Sequence, residues 1–409
     1  MNPHIQLEEK YCAHNYLPLP VVLVRGQGVY VWDDQGQRYM DMMSAYSAVS
    51  HGHSHPRIVD AICQQAQQLA IVSRAFYTDK LGKFLEKLCQ LSGYEAALPM
   101  NTGAEAVETA LKAARKWAYK VKHVPENQAE IIACNGNFHG RTLAIVGLSS
   151  EQQYRDGFGP FPSGMTCIPY GDSQALEAAI NDNTAAFLVE AIQGEGGIIV
   201  PPDDYLQRCA ELCKKHNVLM IVDEVQTGMG RSGRFLAFEH ENIKPDGVIM
   251  GKALGGGILP VSAFLANREV MDVFTPGDHG STFGGNPLAA TAGLEALNVL
   301  TEENLIAKSA ELGTWFQNQL KTIASPLIKD VRGKGLLIGI EIDPQKASAR
   351  EVCERLMTKG LLSKETHDTV VRLAPPLVIT REELTWALNT LQDVLTNWSQ
   401  TKENEMEDA

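Results

Sequence analysis

The sequence predicts an α/β protein built on a mainly parallel sheet, and three observations support this prediction. Short apolar runs alternate with helical patterns in the middle of the chain, as they do in βαβ units. Runs such as residues 218–222 are apolar throughout, which is typical of strands buried on both faces. Changes of sequence texture predict an amino-terminal segment over residues 1–54, a large domain over 55–290 and a smaller α/β domain over 291–409.

The individual elements follow from local patterns, taken in chain order. Residues 28–32, a polar turn and residues 38–40 predict a β-hairpin that completes the smaller domain. In the large domain, buried strands are expected at residues 131–134, 187–189, 218–222 and 247–251, with a helix over 203–216. After Asn286 we expect two long helices, strands near 335–342 and 370–373, and a last helix from Thr380.

Two of the apolar runs end in residues whose chemistry is complementary. The run 218–222 ends at Asp223, and the run 247–251 ends at Lys252 ahead of three glycines. Ligands of open α/β sheets bind beyond the carboxyl ends of such strands. A lysine there can bind an aldehyde cofactor covalently, while a carboxylate keeps the pyridine nitrogen of that cofactor protonated. The pair predicts a pyridoxal 5'-phosphate site in which Lys252 and Asp223 are catalytic.

A third segment predicts a phosphate site. Residues 101–106 open a helix, because Thr102 and Glu105 have the spacing of a capping box and apolar residues then recur at helical spacing. Unpaired backbone amides and the helix dipole make such a start attractive to phosphate. Gly103 lets a phosphate approach the main chain closely. A binding site for each part of the cofactor is then present.

Composition excludes several functional classes. The chain has 409 residues, 44% of them apolar and 21% charged, as in an ordinary globular protein. A net charge of −13 argues against nucleic-acid binding. No apolar stretch approaches the ~20 residues that span a bilayer, and residues 1–10 lack a signal core, so we expect no membrane contact and a cytoplasmic location, although a removed targeting segment would leave no trace. The acidic residues 401–409 predict a solvated tail.

Two further patterns suggest alternative functions. Residues 228–233 match G-x-G-x-x-G, but they do not directly follow a strand or open a helix, so a dinucleotide site is not favoured. His51, His53 and His55 alternate, but no Cys, Asp or Glu follows at ligand spacing, so we expect a structural turn and no metal. Eight cysteines also lack metal-ligand spacing and are expected to be reduced packing residues.

Together with their neighbours, Asp223 and Lys252 give the chain a resemblance to the class III, fold-type I aminotransferases over nearly its whole length. The segments that carry this resemblance are residues 14–20, 46–49, 73–77, 101–106, 136–142, 193–195, 223–228, 280–287 and 372–376. Two positions depart from the family pattern. His139 replaces an aromatic residue, and Ala104 replaces a larger apolar residue.

The resemblance implies how the cofactor is held. Lys252 would form the covalent link to pyridoxal phosphate, and Asp223 would contact the pyridine nitrogen. The other cofactor contacts implied are Gln226 to the phenolic oxygen, Phe138 stacked on the ring, and Gly103 with Ala104 on the phosphate. Thr282 resembles the position that reaches the phosphate of the neighbouring subunit. A homodimer or a higher homo-oligomer is therefore expected.

The resemblance also implies the reaction, which is transfer of the δ-amino group of ornithine to 2-oxoglutarate with ping-pong kinetics. Arginine presents a donor fork that fits a carboxylate. Arg141 would bind the distal carboxylate of ornithine, and Arg372 the α-carboxylate of 2-oxoglutarate. Glu195 would mask Arg372 in the first half-reaction, Tyr16 would accept the α-amino group, and Tyr46 would limit the depth of the pocket. Acetylornithine, 4-aminobutyrate or lysine remain alternative amino donors.

Overall fold

The computed structural model describes residues 2–398, which form one seven-stranded sheet and two four-stranded sheets. The tail predicted at residues 401–409 lies outside the described residues. The strands are β1 Leu23–Gln27, β2 Tyr30–Asp33, β3 Arg38–Asp41, β4 Ala96–Met100, β5 Glu130–Cys134, β6 Met165–Ile168, β7 Thr184–Glu190, β8 Leu219–Asp223, β9 Gly247–Met250, β10 Ser262–Ala266, β11 Ile328–Lys334, β12 Leu337–Ile342, β13 Leu361–Leu362, β14 Lys364–Thr366 and β15 Val370–Leu373.

The helices connect these strands and cover the large sheet. They are α1 Pro3–Tyr11, α2 Ser44–Ser47, α3 Pro56–Gln68, α4 Leu81–Ser92, α5 Gly103–Lys120, α6 Leu143–Val146, α7 Gln152–Arg155, α8 Ser173–Ala179, α9 Tyr205–Lys215, α10 Arg268–Met271, α11 Pro287–Glu302, α12 Leu305–Leu320, α13 Ala349–Thr358 and α14 Arg381–Thr396, with 3₁₀ turns at Ala237–Glu241 and Lys252–Gly255. Of these, α2 is a left-handed turn.

The large sheet has the strand order β4-β10-β9-β8-β7-β5-β6. Its five strands β5 to β9 run parallel to one another, which confirms the predicted mainly parallel sheet. The antiparallel pair β10 and β4 at one side was not predicted. Every residue of β7, β8 and β9 is buried, because helices lie on both faces of the sheet.

The two smaller sheets join the ends of the chain. The predicted hairpin is confirmed as β2 and β3, and β13 from the carboxy-terminal part pairs with β3 in parallel. The third sheet has the order β11-β12-β15-β14 and is antiparallel. Of its strands, β12 and β15 were predicted and β11 was not, because the mixed sequence of β11 becomes a strand only through its pairing with β12.

The glycine pattern at residues 228–233 is a packed connection. Its Arg231 is fully buried and donates to the carbonyls of Leu336 and Pro375 and to the hydroxyl of Ser50. Burial lowers the pKa of Arg231 to about 9. A Cβ on Gly233 would lie 2.9 Å from a backbone atom of Ala310. These residues fasten the amino-terminal segment and the carboxy-terminal part to the large sheet.

Candidate active site

The two polar residues that end neighbouring strands meet at one edge of the large sheet. Asp223 is the last residue of β8 and pairs with Ile249 of β9, and Lys252 follows β9 after Gly251. Lys252 has a positive φ of 45°, a backbone conformation that costs energy for a residue with a side chain. Such strain persists where the surroundings enforce it, and it is often found at active sites.

The amine of Lys252 is prepared for nucleophilic attack. Burial lowers its pKa to about 8, and Arg372 acts in the same direction, while Glu195 and Asp223 oppose the shift. An amine with that pKa is roughly one-tenth neutral at pH 7, whereas an ordinary lysine is neutral in well under one part in a thousand. Because only the neutral amine attacks a carbonyl, the site makes Lys252 a competent nucleophile.

This pKa predicts how cofactor-free enzyme captures an aldehyde. The rate of covalent capture of pyridoxal phosphate by Lys252 should rise about tenfold per pH unit below pH 8 and level off above it, since deprotonation supplies the reactive amine. Rapid-mixing absorbance measurements across pH 6–10 would give the midpoint, corrected for the ionisation of the free aldehyde. A midpoint near that of free lysine, about 10.4, would contradict the argument.

Asp223 is held by a residue whose role the sequence did not reveal. His139 donates from Nδ1 to Asp223 Oδ2 at 2.7 Å, and the backbone amide of Val225 donates to Oδ1 at 2.9 Å. Burial disfavours the imidazolium of His139, but the hydrogen bond and charge of Asp223 outweigh burial and raise its pKa. His139 and the Val225 amide therefore fix the direction of the Asp223 carboxylate. The only indication in the sequence was that His139 follows Phe138, the residue expected to stack on the cofactor ring.

The helix start that was predicted to bind phosphate is the amino-terminal end of α5. The capping box is confirmed, with the Thr102 hydroxyl accepting from the Glu105 amide and a Glu105 oxygen accepting from the Thr102 amide. A Cβ on Gly103 would lie 2.9 Å from Cγ1 of Val225, so only glycine brings the helix start this close to Asp223. The free amides at Gly103 and Ala104 suit a phosphate. Amine, carboxylate and helix start together fit pyridoxal phosphate.

A buried ion pair lies on the side of the site formed by β15. Arg372 is 1% exposed and donates from Nη1 to Glu195 Oε1 at 2.6 Å and from Nη2 to Oε2 at 3.0 Å. Gln226 also donates to Glu195 Oε1, at 3.0 Å. Burial raises the pKa of Glu195, but the charge of Arg372 dominates and lowers it to about 2. Glu195 thus stays ionised and covers Arg372.

The loop that carries Glu195 is tied down through its backbone. The Thr366 hydroxyl donates to the carbonyl of Glu195 at 2.6 Å, and Arg332 donates to the carbonyl of Gly197 at 2.7 Å. Within the described part of the chain, Gln226 Oε1 and Arg372 Nε are buried and have no hydrogen-bond partner. These free polar atoms leave capacity for a bound ligand.

Tyr46 lies close to Arg372, and it belongs to a segment with left-handed backbone conformation. The left-handed turn α2 has positive φ at four consecutive residues, Ser44 51°, Ala45 45°, Tyr46 60° and Ser47 73°. This conformation costs roughly 1–2 kcal/mol per residue other than glycine. It brings the Tyr46 ring to 5.0 Å from the Arg372 guanidinium. Tyr16 is close enough to affect the pKa of Tyr46, but it is 77% exposed in the single chain.

The remaining predicted residues lie around the edge of the site. Arg141 is exposed, with its guanidinium 3.6 Å from the ring centre of Tyr154 and 5.4 Å from that of Phe138. The Phe138 amide donates to Glu190, a fully buried carboxylate whose pKa burial raises to about 7. Tyr154 and Glu190 were not predicted, since neither belongs to a recognisable motif. Thr282 is exposed on its loop, and the side-chain amide of Asn101, two residues before Gly103, donates to the neighbouring Ser281 hydroxyl at 2.8 Å.

Comparison with known proteins identifies the family of the chain. The family model described as aminotransferase class III matches residues 11–395. A curated ornithine aminotransferase 2 of Staphylococcus aureus is 59% identical, covering 95% of this chain and 98% of the relative.

Two solved structures are also similar. The ornithine aminotransferase of Toxoplasma gondii, described with partial occupancy of pyridoxal phosphate at its active site, has a TM-score of 0.94 and 45% identity, covering 96% of this chain and 93% of that one. The acetylornithine aminotransferase of Elizabethkingia anophelis has a TM-score of 0.87 and 49% identity, covering 96% and 98%. The chain therefore belongs to the class III aminotransferases, which depend on pyridoxal phosphate.

Proposed function

We propose that the protein transfers the δ-amino group of ornithine to 2-oxoglutarate, giving glutamate 5-semialdehyde and glutamate in two half-reactions. The observation that carries this proposal is the Glu195–Arg372 ion pair beside Lys252. An arginine that is hidden from one substrate and available to the next suits an enzyme that must accept a terminal amine first and an α-keto acid second. The names of the Staphylococcus and Toxoplasma relatives support the choice of ornithine.

Each residue of the site has a separate role in the reaction. Bound pyridoxal phosphate supplies an aldehyde carbon that accepts the amino group and a ring that withdraws electrons. Lys252 Nζ would remove the proton from the substrate carbon that bears the amino group and deliver it to the former aldehyde carbon of the cofactor, and it would move a proton in the opposite direction in the second half-reaction. Asp223, held in position by His139, would contact the ring nitrogen. Gly103 and Ala104 would bind the phosphate, Gln226 the phenolic oxygen, and Phe138 the ring face.

Substrate binding is assigned to side chains at the outer part of the site. Arg141 would bind the distal carboxylate of ornithine while Glu195 keeps Arg372 covered. When 2-oxoglutarate replaces ornithine, its α-carboxylate would take the place of Glu195 on Arg372. Exchange of one carboxylate for another preserves the buried guanidinium's charge pairing, which avoids the large cost of leaving it unpaired.

The test of this function is a single half-reaction with ornithine and no keto acid. Purified enzyme loaded with cofactor should convert one equivalent of ornithine per active site to glutamate 5-semialdehyde, identified by mass spectrometry. Later addition of 2-oxoglutarate should release one equivalent of glutamate. Conversion of acetylornithine but not of ornithine would contradict the proposal and favour the alternative raised by the Elizabethkingia relative.

Tyr16 should separate amino donors that carry a free α-amine from donors that lack one. Only a substrate with a free α-amine can use the Tyr16 hydroxyl, so Tyr16→Phe should raise KM for ornithine by about tenfold, the effect of one lost hydrogen bond to a charged group. The KM for 4-aminobutyrate, which lacks that amine, should change little. Steady-state assays with both donors give the comparison. Equal changes for the two substrates would remove the reason for preferring ornithine.

A homodimer or higher homo-oligomer is part of the proposal. Large apolar side chains are exposed next to the Thr282 loop: Phe283 is 56% exposed, Phe76 is 67% exposed and Tyr77 is fully exposed. Such clusters commonly mark protein–protein contacts. Burial of this surface by a second copy would allow Thr282 to approach a phosphate in the neighbouring subunit.

The proposal also covers the division of the chain and its location. We retain an amino-terminal segment over residues 1–54, a large cofactor-binding domain over 55–290 and a small domain over 291–409. The pairing of β3 with β13 supports joining the first segment to the last. Among residues 2–398, no helix is both long and apolar enough to cross a bilayer. The charged, acidic composition supports a cytoplasmic location.

A further inference from the structure

The left-handed turn that carries Tyr46 is anchored at its start by one carboxylate. Asp41 is the last residue of β3 and is 7% exposed. Its Oδ1 accepts the backbone amides of Met43 at 2.8 Å and Ser44 at 2.9 Å. These two bonds fix the direction in which the chain leaves β3. They also satisfy backbone donors that have no helical partner at the start of the turn.

Asp41 is in turn held by His53, a member of the alternating histidines. His53 Nε2 donates to Asp41 Oδ2 at 2.7 Å. The backbone of His53 is paired with Gly28 through two hydrogen bonds, at 2.8 and 3.1 Å. A Cβ on Gly26 would lie 2.8 Å from Cβ of His53, so the main chain closes tightly against this residue. His53 therefore has a fixed position from which it orients the carboxylate of Asp41.

The same segment is fastened to the strand that carries Arg372. The carbonyl of Met42 accepts from the amide of Ala374 at 2.7 Å, and Ala374 lies two residues beyond Arg372. The segment that leads into the turn is thus hydrogen-bonded to the residues that follow β15. The Tyr46 ring centre lies 5.0 Å from the Arg372 guanidinium. Four residues with side chains do not stay left-handed on their own preference. The bonds to Asp41, together with the backbone bond from Ala374 to Met42, oppose relaxation of the turn.

We propose that Asp41 and His53 are positioning residues for substrate selection, because they hold the left-handed turn that keeps Tyr46 against Arg372. Neither residue contacts the reacting atoms. This inference rests on the proposed function, since Tyr46 limits the pocket that ornithine would occupy. It gives the histidine pattern a role that is neither metal binding nor a simple turn.

A double-mutant cycle between Asp41 and Tyr46 tests the inference. Asp41→Ala should lower kcat/KM for ornithine by about tenfold, almost entirely through KM, because the reacting groups stay in place. In a Tyr46→Ala background the same Asp41→Ala change should alter kcat/KM by less than about twofold, since the residue being positioned is gone. Equal losses in the two backgrounds would overturn the inference.

Asp33 offers a matched control in the same hairpin. Its Oδ1 accepts the amides of Gln35 at 3.0 Å and Gln37 at 2.8 Å, yet its turn carries no residue of the site. Asp33→Ala should leave kcat/KM within about twofold in both backgrounds. A tenfold loss here would show that any weakened turn lowers activity, and would overturn the assignment to Asp41.

Two further variants separate positioning from a general folding defect. Asp41→Asn keeps an oxygen acceptor for both amides and should restore KM to within about twofold of the unaltered enzyme. If Asp41→Ala does not fold, His53→Leu serves in its place and should give the same cycle with a smaller KM effect. Melting temperatures of each variant identify folded protein. Failure of Asp41→Asn to restore KM, with melting unchanged, would overturn the inference.

The cycle also distinguishes failure of this inference from failure of the proposed function. If the unaltered enzyme does not convert ornithine, the substrate assignment fails, and the inference that depends on it fails with it. If the unaltered enzyme converts ornithine and the effects at Asp41 and Tyr46 simply multiply, the function stands and the positioning role alone is overturned.

Discussion

Lys252→Ala is expected to lower kcat by roughly 10⁴-fold, the upper range for loss of a positioned acid–base group. The variant loses the covalent anchor of the cofactor and the amine that moves the proton. Other contacts remain, since the start of α5 and Asp223 are separate from this side chain. The variant should therefore still bind pyridoxal phosphate, but without a covalent bond.

Two measurements check this expectation. Single-turnover assays with ornithine give the rate, and borohydride reduction followed by intact mass gives the covalent link, which should be present in the unaltered enzyme and absent from the variant. Lys122→Ala is a suitable control, because burial also lowers the pKa of Lys122 while its amine donates to the carbonyls of Thr184 and His216. Near-normal turnover by Lys252→Ala would refute the catalytic assignment.

Glu195→Gln is expected to open the enzyme to α-amino acids. The neutral amide no longer covers the charge of Arg372, so glutamate can bind with its α-carboxylate on that arginine. A unit-charge pair at ~4 Å is worth roughly 4 kcal/mol at an effective dielectric near 20. Glu195 has some exposure, so only part of this is realised. The ratio of kcat/KM for glutamate over ornithine should rise on the order of 10- to 100-fold.

The measurement compares single half-reactions with glutamate and with ornithine. Glu295→Gln is a matched control, because Glu295 of α11 pairs with Arg57 of α3 at 2.7 Å and lies outside the loop that carries Glu195. The control should leave the substrate ratio unchanged. An unchanged ratio in Glu195→Gln as well would show that Arg372 is not masked by this carboxylate.

The sequence predicted the central elements because their signals are local. An apolar run followed by Asp223 or Lys252 needs no distant partner to be recognised, and the capping box at Thr102 lies within four residues. The parallel sheet followed from the same runs. The strand β10 was not predicted. Its residues are small and apolar, and such residues do not indicate whether a strand runs parallel or antiparallel to its neighbours.

The contacts that the sequence did not predict join residues that are far apart along the chain. His139 meets Asp223 across 84 positions. Glu190 holds the Phe138 amide across 52 positions. Neither contact has a periodic or spacing signature. The left-handed conformation around Tyr46 was also unpredictable, because residues with side chains disfavour it and the hydrogen bonds that hold it, including those to Asp41, have no sequence signature.

The anchoring of the Glu195 backbone has a consequence for how the site changes between its two half-reactions. The carbonyl of Glu195 is held by Thr366 and its loop by Arg332, so the backbone of this segment resists displacement. Rotation about the side-chain bonds of Glu195 is then sufficient to uncover Arg372. The site can therefore exchange an amino donor for a keto acid while the main chain around it keeps its place.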